Sequence, residues 1–242
     1  IANLLVTFAI IFLFKHYNLL SFKDFGTLNK EDFTSLTKFA FKGHISSVLQ
    51  KSNDQLIKLI CFPLLSSAQF GYISLGIQIS NLLLTVISSI QVVLAPKISQ
   101  SSIKKIKIII PKVFKILFIS ITLISILYLI TLPTLVNKFY GIEYQKVISI
   151  SYYLMPGILF LSYSKIFNLT LNQIGYPFLS TIIRVSGLVT NLTLVYFLVN
   201  RYGEDGFSIS LSISYFVMFI VGYILFYKKI DFSLKDIFNK KI

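Results

Sequence analysis

Five long apolar runs dominate this chain: Gly71–Ala95, Val113–Leu135, Val147–Phe167, Phe178–Val199 and Phe207–Tyr227. Each approaches or exceeds the roughly 20 residues that a helix needs to cross hydrocarbon. A backbone in that medium has to satisfy its own N–H and C=O groups, which leaves only helices and closed barrels. Barrel strands are about ten residues long and alternate apolar with polar positions. Ser208, Ser210, Ser212 and Ser214 do alternate with Ile209, Leu211 and Ile213, but inside a run too long for one strand. The expected fold is therefore all-α, a polytopic transmembrane helix bundle. Composition points the same way, with 13% charged residues and a mean hydropathy of +0.78, against about a quarter charged in a soluble domain.

One further stretch, Gly43–Leu65, differs from these runs. His44, Ser47, Lys51, Asp54 and Lys58 recur at three- and four-residue steps and share one helical stripe, with Ile45, Val48, Leu49, Leu56, Leu59 and Ile60 largely opposite. An interfacial helix is one reading. Charge parity favours a span. Lys15, Lys23, Lys30, Lys38 and Lys42 precede the stretch, and Lys97, Lys104, Lys105, Lys107 and Lys112 follow the next run. The two groups share a face only if Gly43–Leu65 crosses, as expected where cytoplasmic segments collect Lys and Arg. The result is six complete spans, both ends of the set cytoplasmic, plus a truncated first helix, Ile1–Phe14. The chain starts at Ile1 rather than Met, so that helix reads as the remainder of a longer one. Residues 1–242 form a single bundle on this reading, with residues 15–42 as a cytoplasmic loop or interfacial helix.

The connections follow from the punctuation. Pro96 is expected to end its helix before a basic cytoplasmic loop, Lys97–Lys112, that could hold another interfacial helix. Pro133 and Asn137–Lys146 are expected in a short external loop, Pro156-Gly157 at a mid-span kink, and Asn168–Pro177 in a tight cytoplasmic turn. The net charge of +14 lies mostly in the cytoplasmic segments and tail, which fits anionic membrane lipids rather than nucleic acid.

Little here supports catalysis. Two His, one Cys and nine Asp and Glu offer no metal-ligand spacing, phosphate loop or nucleophile elbow. No metal, no cofactor and no enzyme activity is expected. Asn168-Leu-Thr170 and Asn191-Leu-Thr193 match glycosylation acceptors by chance, one in a cytoplasmic turn and the other within a span. The notable chemistry is intramembrane charge: Lys51, Lys58 and Arg184, with Asp54 the one acid inside a span. Asp54 can pair with one lysine and not neutralise both. Either the lysines pair locally or snorkel to the interface, as Lys115 and Lys165 do near helix ends, or they line a water-filled cavity that takes an anion. The candidate cavity residues are His44, Lys51, Asp54, Lys58, Gln78, Asn81 and Arg184. Gln78 and Asn81 come from a second polar stripe, Ser74, Gln78, Asn81, Thr85 and Ser88, whose bland reading is interhelical hydrogen bonding.

Gly43-His44, Ser46-Ser47, Leu49-Gln50, Asn53-Asp54-Gln55-Leu56, Phe70-Gly71-Tyr72 and Leu94-Ala95-Pro96-Lys97-Ile98-Ser99 together resemble the seventh and eighth helices of bacterial polysaccharide flippases. These are the O-antigen-type transporters of the multidrug, oligosaccharidyl-lipid and polysaccharide exporter superfamily. Phe139-Tyr140-Gly141, Asn172-Gln173-Ile174-Gly175 and the Gly203 to Gly206 turn are similar to that family too. Related members carry an acid near the Leu-rich end of the seventh helix, whereas this chain has Ile57 at that slot and Asp54 a turn earlier. The resemblance covers nearly the whole chain. It implies the C-terminal half of a roughly twelve-helix transporter in the bacterial cytoplasmic membrane. The implied substrate is a polyprenyl-diphosphate-linked oligosaccharide, an O-antigen or capsule repeat unit, moved by alternating access with H+ or Na+ as a coupling ion. A cation-coupled drug exporter is the alternative within transport, and a membrane-embedded polysaccharide polymerase or acyltransferase the alternative outside it.

Overall fold

The computed structural model describes residues 62–231, with Thr34, Thr37 and Phe41 before them. The chain divides into two compact units, Ile1–Phe41 and Lys42–Ile242, and the architecture that follows is that of the second. After a 3-10 turn at Phe62–Leu64 come four helices: α1 (Ser67–Ser99), α2 (Ile103–Phe139), α3 (Lys146–Gln173) and α4 (Pro177–Ile230), with no strand among the described residues. All four are long and apolar enough to cross a membrane. The truncated helix Ile1–Phe14 and nearly all of the amphipathic stretch Gly43–Leu65 lie outside the described residues.

The 54 residues of α4 are not one rod. Gly203 sits at φ 57°, ψ −132°, a conformation that glycine adopts without a Cβ penalty, and the chain reverses there. Ser210 Oγ donates to Asn191 Oδ1 at 3.0 Å, Met218 covers Gly187, and Gly222 faces Ile183. In a straight helix, residues 187 and 218 would stand about 46 Å apart. The two arms, 177–202 and 204–230, are thus an antiparallel pair. The turn expected over Arg201–Gly206 has shrunk to one non-helical residue.

Contacts fix the helix directions. Ile150 packs on Gly76, and Gln91 Nε2 donates to the Lys165 carbonyl at 2.9 Å, so α1 and α3 run parallel. Tyr152 Oη donates to the Leu129 carbonyl while Phe114 stacks on Tyr163 and meets Phe167 at a tilt, so α2 runs against α3. Phe160 meets Phe216 and Phe167 meets Phe226, so the second arm of α4 runs with α3. Successive helical segments alternate in direction, with α3 at the centre. Around it, Phe114, Phe167 and Phe226 are almost fully buried. Among apolar surroundings such rings gain contact density rather than escape from water.

The helices are longer than hydropathy suggests. α1 continues through Pro96 to Ser99, and α2 begins at Ile103, so the basic loop expected over Lys97–Lys112 reduces to Gln100–Ser102. Pro133, expected in a loop, lies inside α2, and α3 runs through Asn168 and Asn172 to Gln173. The cause is a buried stripe that outlasts the apolar run: Ile106, Ile110, Phe114, Leu117 and Ile121 stay on the core side while Lys104, Lys105 and Lys112 point away. Pro156 also sits inside a continuous α3. Its ring loosens the preceding turn, and Ser212 Oγ from α4 donates to the Tyr153 carbonyl in that turn, which ties the second arm of α4 to α3.

Candidate functional site

A cavity of about 580 Å³ lies between α1, α3 and both arms of α4. α1 contributes Asn81, Thr85, Ser88 and Gln91, which step down one face over some 15 Å of helix. α3 contributes Lys165, Asn168 and Asn172 at three- and four-residue steps. Arg184 enters from the first arm of α4, and Tyr215 from the second. Ile77, Leu84, Leu161, Leu211 and Met218 supply apolar walls. Two cations, Lys165 and Arg184, and no carboxylate line it among the described residues.

The polar atoms are held in defined states. Gln91 uses its amide N–H on the Lys165 carbonyl, which pins α1 to α3 at the cavity wall. The Ser88 hydroxyl donates to the Leu84 carbonyl at 3.0 Å and the Thr85 hydroxyl to the Leu82 carbonyl, so both present oxygen lone pairs beyond their own helix. Asn168 is 6% exposed, and its Nδ2 donates to the Ser164 carbonyl at 3.0 Å. That bond orients the amide and leaves Oδ1 as acceptor. Neither Asn168 Oδ1 nor Asn172 Oδ1 has a hydrogen-bond partner among the described residues. The Asn168 backbone carbonyl in turn accepts from Ser180 Oγ at 3.1 Å, which ties α3 to the first arm of α4.

Of the sequence-derived candidates, Asn81 and Arg184 come together here. Gln78 does not line the cavity and is exposed. At 100° per residue it stands about 60° round the helix from Asn81 and a turn further from the cavity, so the polar stripe is wide and only one edge faces in. His44, Lys51, Asp54 and Lys58 fall outside the described residues. Sequence reasoning missed Gln91, Lys165, Asn168, Asn172 and Tyr215. By sequence Lys165 reads as a helix-end residue that snorkels, and the two asparagines read as turn residues. A visible signal existed, since Lys165, Asn168 and Asn172 step by three and four residues and so share one helical face, as Asn81, Thr85 and Ser88 do at four and three. Asn168 and Asn191, the two glycosylation-like asparagines, are buried within helices.

The opposite end of the same helices is closed by a polar cluster. Gln69 Nε2 donates to Glu204 Oε2 at 2.7 Å, Lys146 Nζ lies 3.7 Å from Glu204 Oε1, and Ser149 Oγ donates to Asp205 Oδ1 at 2.9 Å. Ser66 and Gln69 form a reciprocal capping box at the start of α1. The N-termini of α1, α3 and the second arm of α4 are thereby tied together, with two carboxylates at the helix end that favours negative charge.

Fold and cavity together define a class: a helical chain of membrane-spanning character with a cationic, hydrogen-bonding cavity among its helices. No family model, no curated protein and no solved structure matches this chain.

Proposed function

We propose that the protein is a lipid-linked oligosaccharide flippase of a bacterial cytoplasmic membrane, in which this cavity holds the headgroup of a polyprenyl-diphosphate-linked glycan. On this reading the chain contributes six complete spans, and α1, α3 and the second arm of α4 run toward the cytoplasm. The observation that carries the proposal is the cavity: Lys165 and Arg184 share it with an amide and hydroxyl wall, inside helices that are otherwise apolar. The pair attracts a diphosphate by charge and donates hydrogen bonds to its oxygens. Lys51, Lys58 and Asp54 belong to the same proposal as charges on a neighbouring span, and H+ or Na+ as the coupling ion. A cation-coupled drug exporter would need an acidic cavity, and the described lining has no carboxylate. A polymerase or acyltransferase would need a loop or cluster to hold its chemistry, whereas α1 to α4 are joined by only a few residues each.

The test is Lys165→Gln with Arg184→Gln in the native protein in cells. Surface glycan export falls at least about tenfold, the scale of one lost charge-assisted contact, while the protein stays inserted at normal abundance. Unchanged export would refute the reading.

A further inference from the structure

We infer that the groove between α1 and α2, at the lysine-bearing ends of these helices, seats one acyl chain of an anionic glycerophospholipid of the bilayer, with the lipid phosphate against Lys97. At 100° per residue the groove lies on the face of α1 opposite the polar cavity. Its occupant does not depend on what that cavity carries.

Two helical faces build the groove. On α1, Ser89, Val93 and Lys97 recur every four residues, and on α2, Ile109, Val113 and Ile116 recur at four and three. The space between them is about 460 Å³. Leu94 is buried at its floor, while Val93 and Ile116 stand 73% and 60% exposed. Ser89 spends its hydroxyl hydrogen on the Thr85 carbonyl at 3.1 Å, which leaves Lys97 as the lining group that calls for a polar partner. In hydrocarbon such a groove is filled for contact rather than to escape water, because walls without neighbours forfeit dispersion energy. From Ser89 to Lys97 it follows α1 for about 12 Å, close to one leaflet's share of a hydrocarbon core about 30 Å thick. Those are the dimensions of an acyl chain.

Charge decides which lipid. Lys97 ends the groove where α1 terminates, and Lys105 and Lys112 share the α2 face of Ile109, Val113 and Ile116. All three lysines are exposed, and none pairs with a carboxylate among the described residues, whereas Lys107 is taken by Asp231 at 3.1 Å. The first turn of α2 carries no acid, and Ser102 at its N-cap makes no side-chain capping bond, so the positive end of that helix dipole adds to the field. Long lysine stems carry their ammonium groups to headgroup level, where a lipid with net negative charge meets them. A zwitterionic headgroup brings its own cation into the same cluster and gains less.

The chain has no Trp, so a single introduced indole reports its own surroundings. The experiment places the intact protein in phosphatidylcholine vesicles that contain a minor fraction of brominated phosphatidylglycerol or of brominated phosphatidylcholine, and follows quenching of the indole. One variant is Ile116→Trp at the groove rim. The other is Phe118→Trp, a reference 52% exposed and about 200° further round α2. At position 116 the brominated phosphatidylglycerol quenches with an apparent affinity roughly five- to tenfold above that of brominated phosphatidylcholine. At position 118 the two quench alike. Lys97→Gln with Lys112→Gln abolishes the preference at 116 and leaves the signal at 118 unchanged, which also certifies the fold. Equal quenching by both lipids at 116 would overturn the anionic headgroup and leave ordinary boundary lipid in the groove. Quenching by neither lipid at 116, with both effective at 118, would give the groove to protein, another segment or a second copy. A preference that survives the double substitution would overturn the seat of the phosphate at Lys97.

Discussion

Gly206 shows how tightly single residues bind this fold. A Cβ there would meet the Leu198 carbonyl oxygen at 2.0 Å and its carbon at 2.4 Å, and both are backbone atoms that cannot swing away. Gly206→Ala therefore has to prise the two arms of α4 apart, at a cost of roughly 1–3 kcal/mol. Gly71 on α1 has nothing within 4 Å of such a Cβ, and Gly71→Ala removes only the entropic penalty of glycine in a helix, a gain of about 0.5–1 kcal/mol. Thermal unfolding in detergent, followed by circular dichroism, should order the three proteins as Gly71→Ala, wild type, Gly206→Ala. If the Gly206 variant were as stable as wild type, the close-packed hairpin would be wrong. Arg184 and Asn81 were legible as site residues because a cation or amide inside an apolar run stands out. Asn168 and Asn172 were not, because next to Gly175 and Pro177 they read as turn formers.

Among the elements, helix cores were legible and helix ends were not. A sliding apolar run finds Val113–Leu135 but misses the ten residues from Ile103, where lysines dilute the hydropathy while Ile106 and Ile110 continue the buried face. The reversal at Gly203 was visible as a turn, yet its sharpness depends on a backbone angle that no pattern reveals. The elements' most distinctive joint is Glu204, 8% exposed and shared between Gln69 and Lys146. Lys146 is largely exposed, so water screens that pair, and most of the tie resides in the Gln69 hydrogen bond. Glu204→Ala loses it and destabilises by roughly 1–3 kcal/mol, whereas Glu204→Gln keeps an acceptor for Gln69 and loses much less. Urea or heat unfolding of the two variants separates these outcomes. Equal losses would assign the stability to the carboxylate's charge.

At the scale of the whole molecule, the alternating helix directions and the distribution of lysine agree. α1 ends near Lys97 and the second arm of α4 near Lys228 and Lys229, at one and the same end of the bundle, as positive-inside topology requires. The cavity lies toward that end, and the cluster around Glu204 closes the other. The central claim is that water and an anion reach Asn81 through Asn172 inside helices of membrane-spanning length. The most direct measurement places single cysteines at position 85 or 88, with Cys61 replaced by Ser, and at the exposed apolar position 123 as a control. Labelling by a membrane-impermeant thiol reagent is then followed in intact cells and in inverted vesicles, with and without a diphosphate lipid. The account predicts labelling at 85 and 88 from the face that carries Lys97, slowed by the lipid, and none at 123. No labelling at 85 or 88 from either face, in folded and inserted protein, would contradict it.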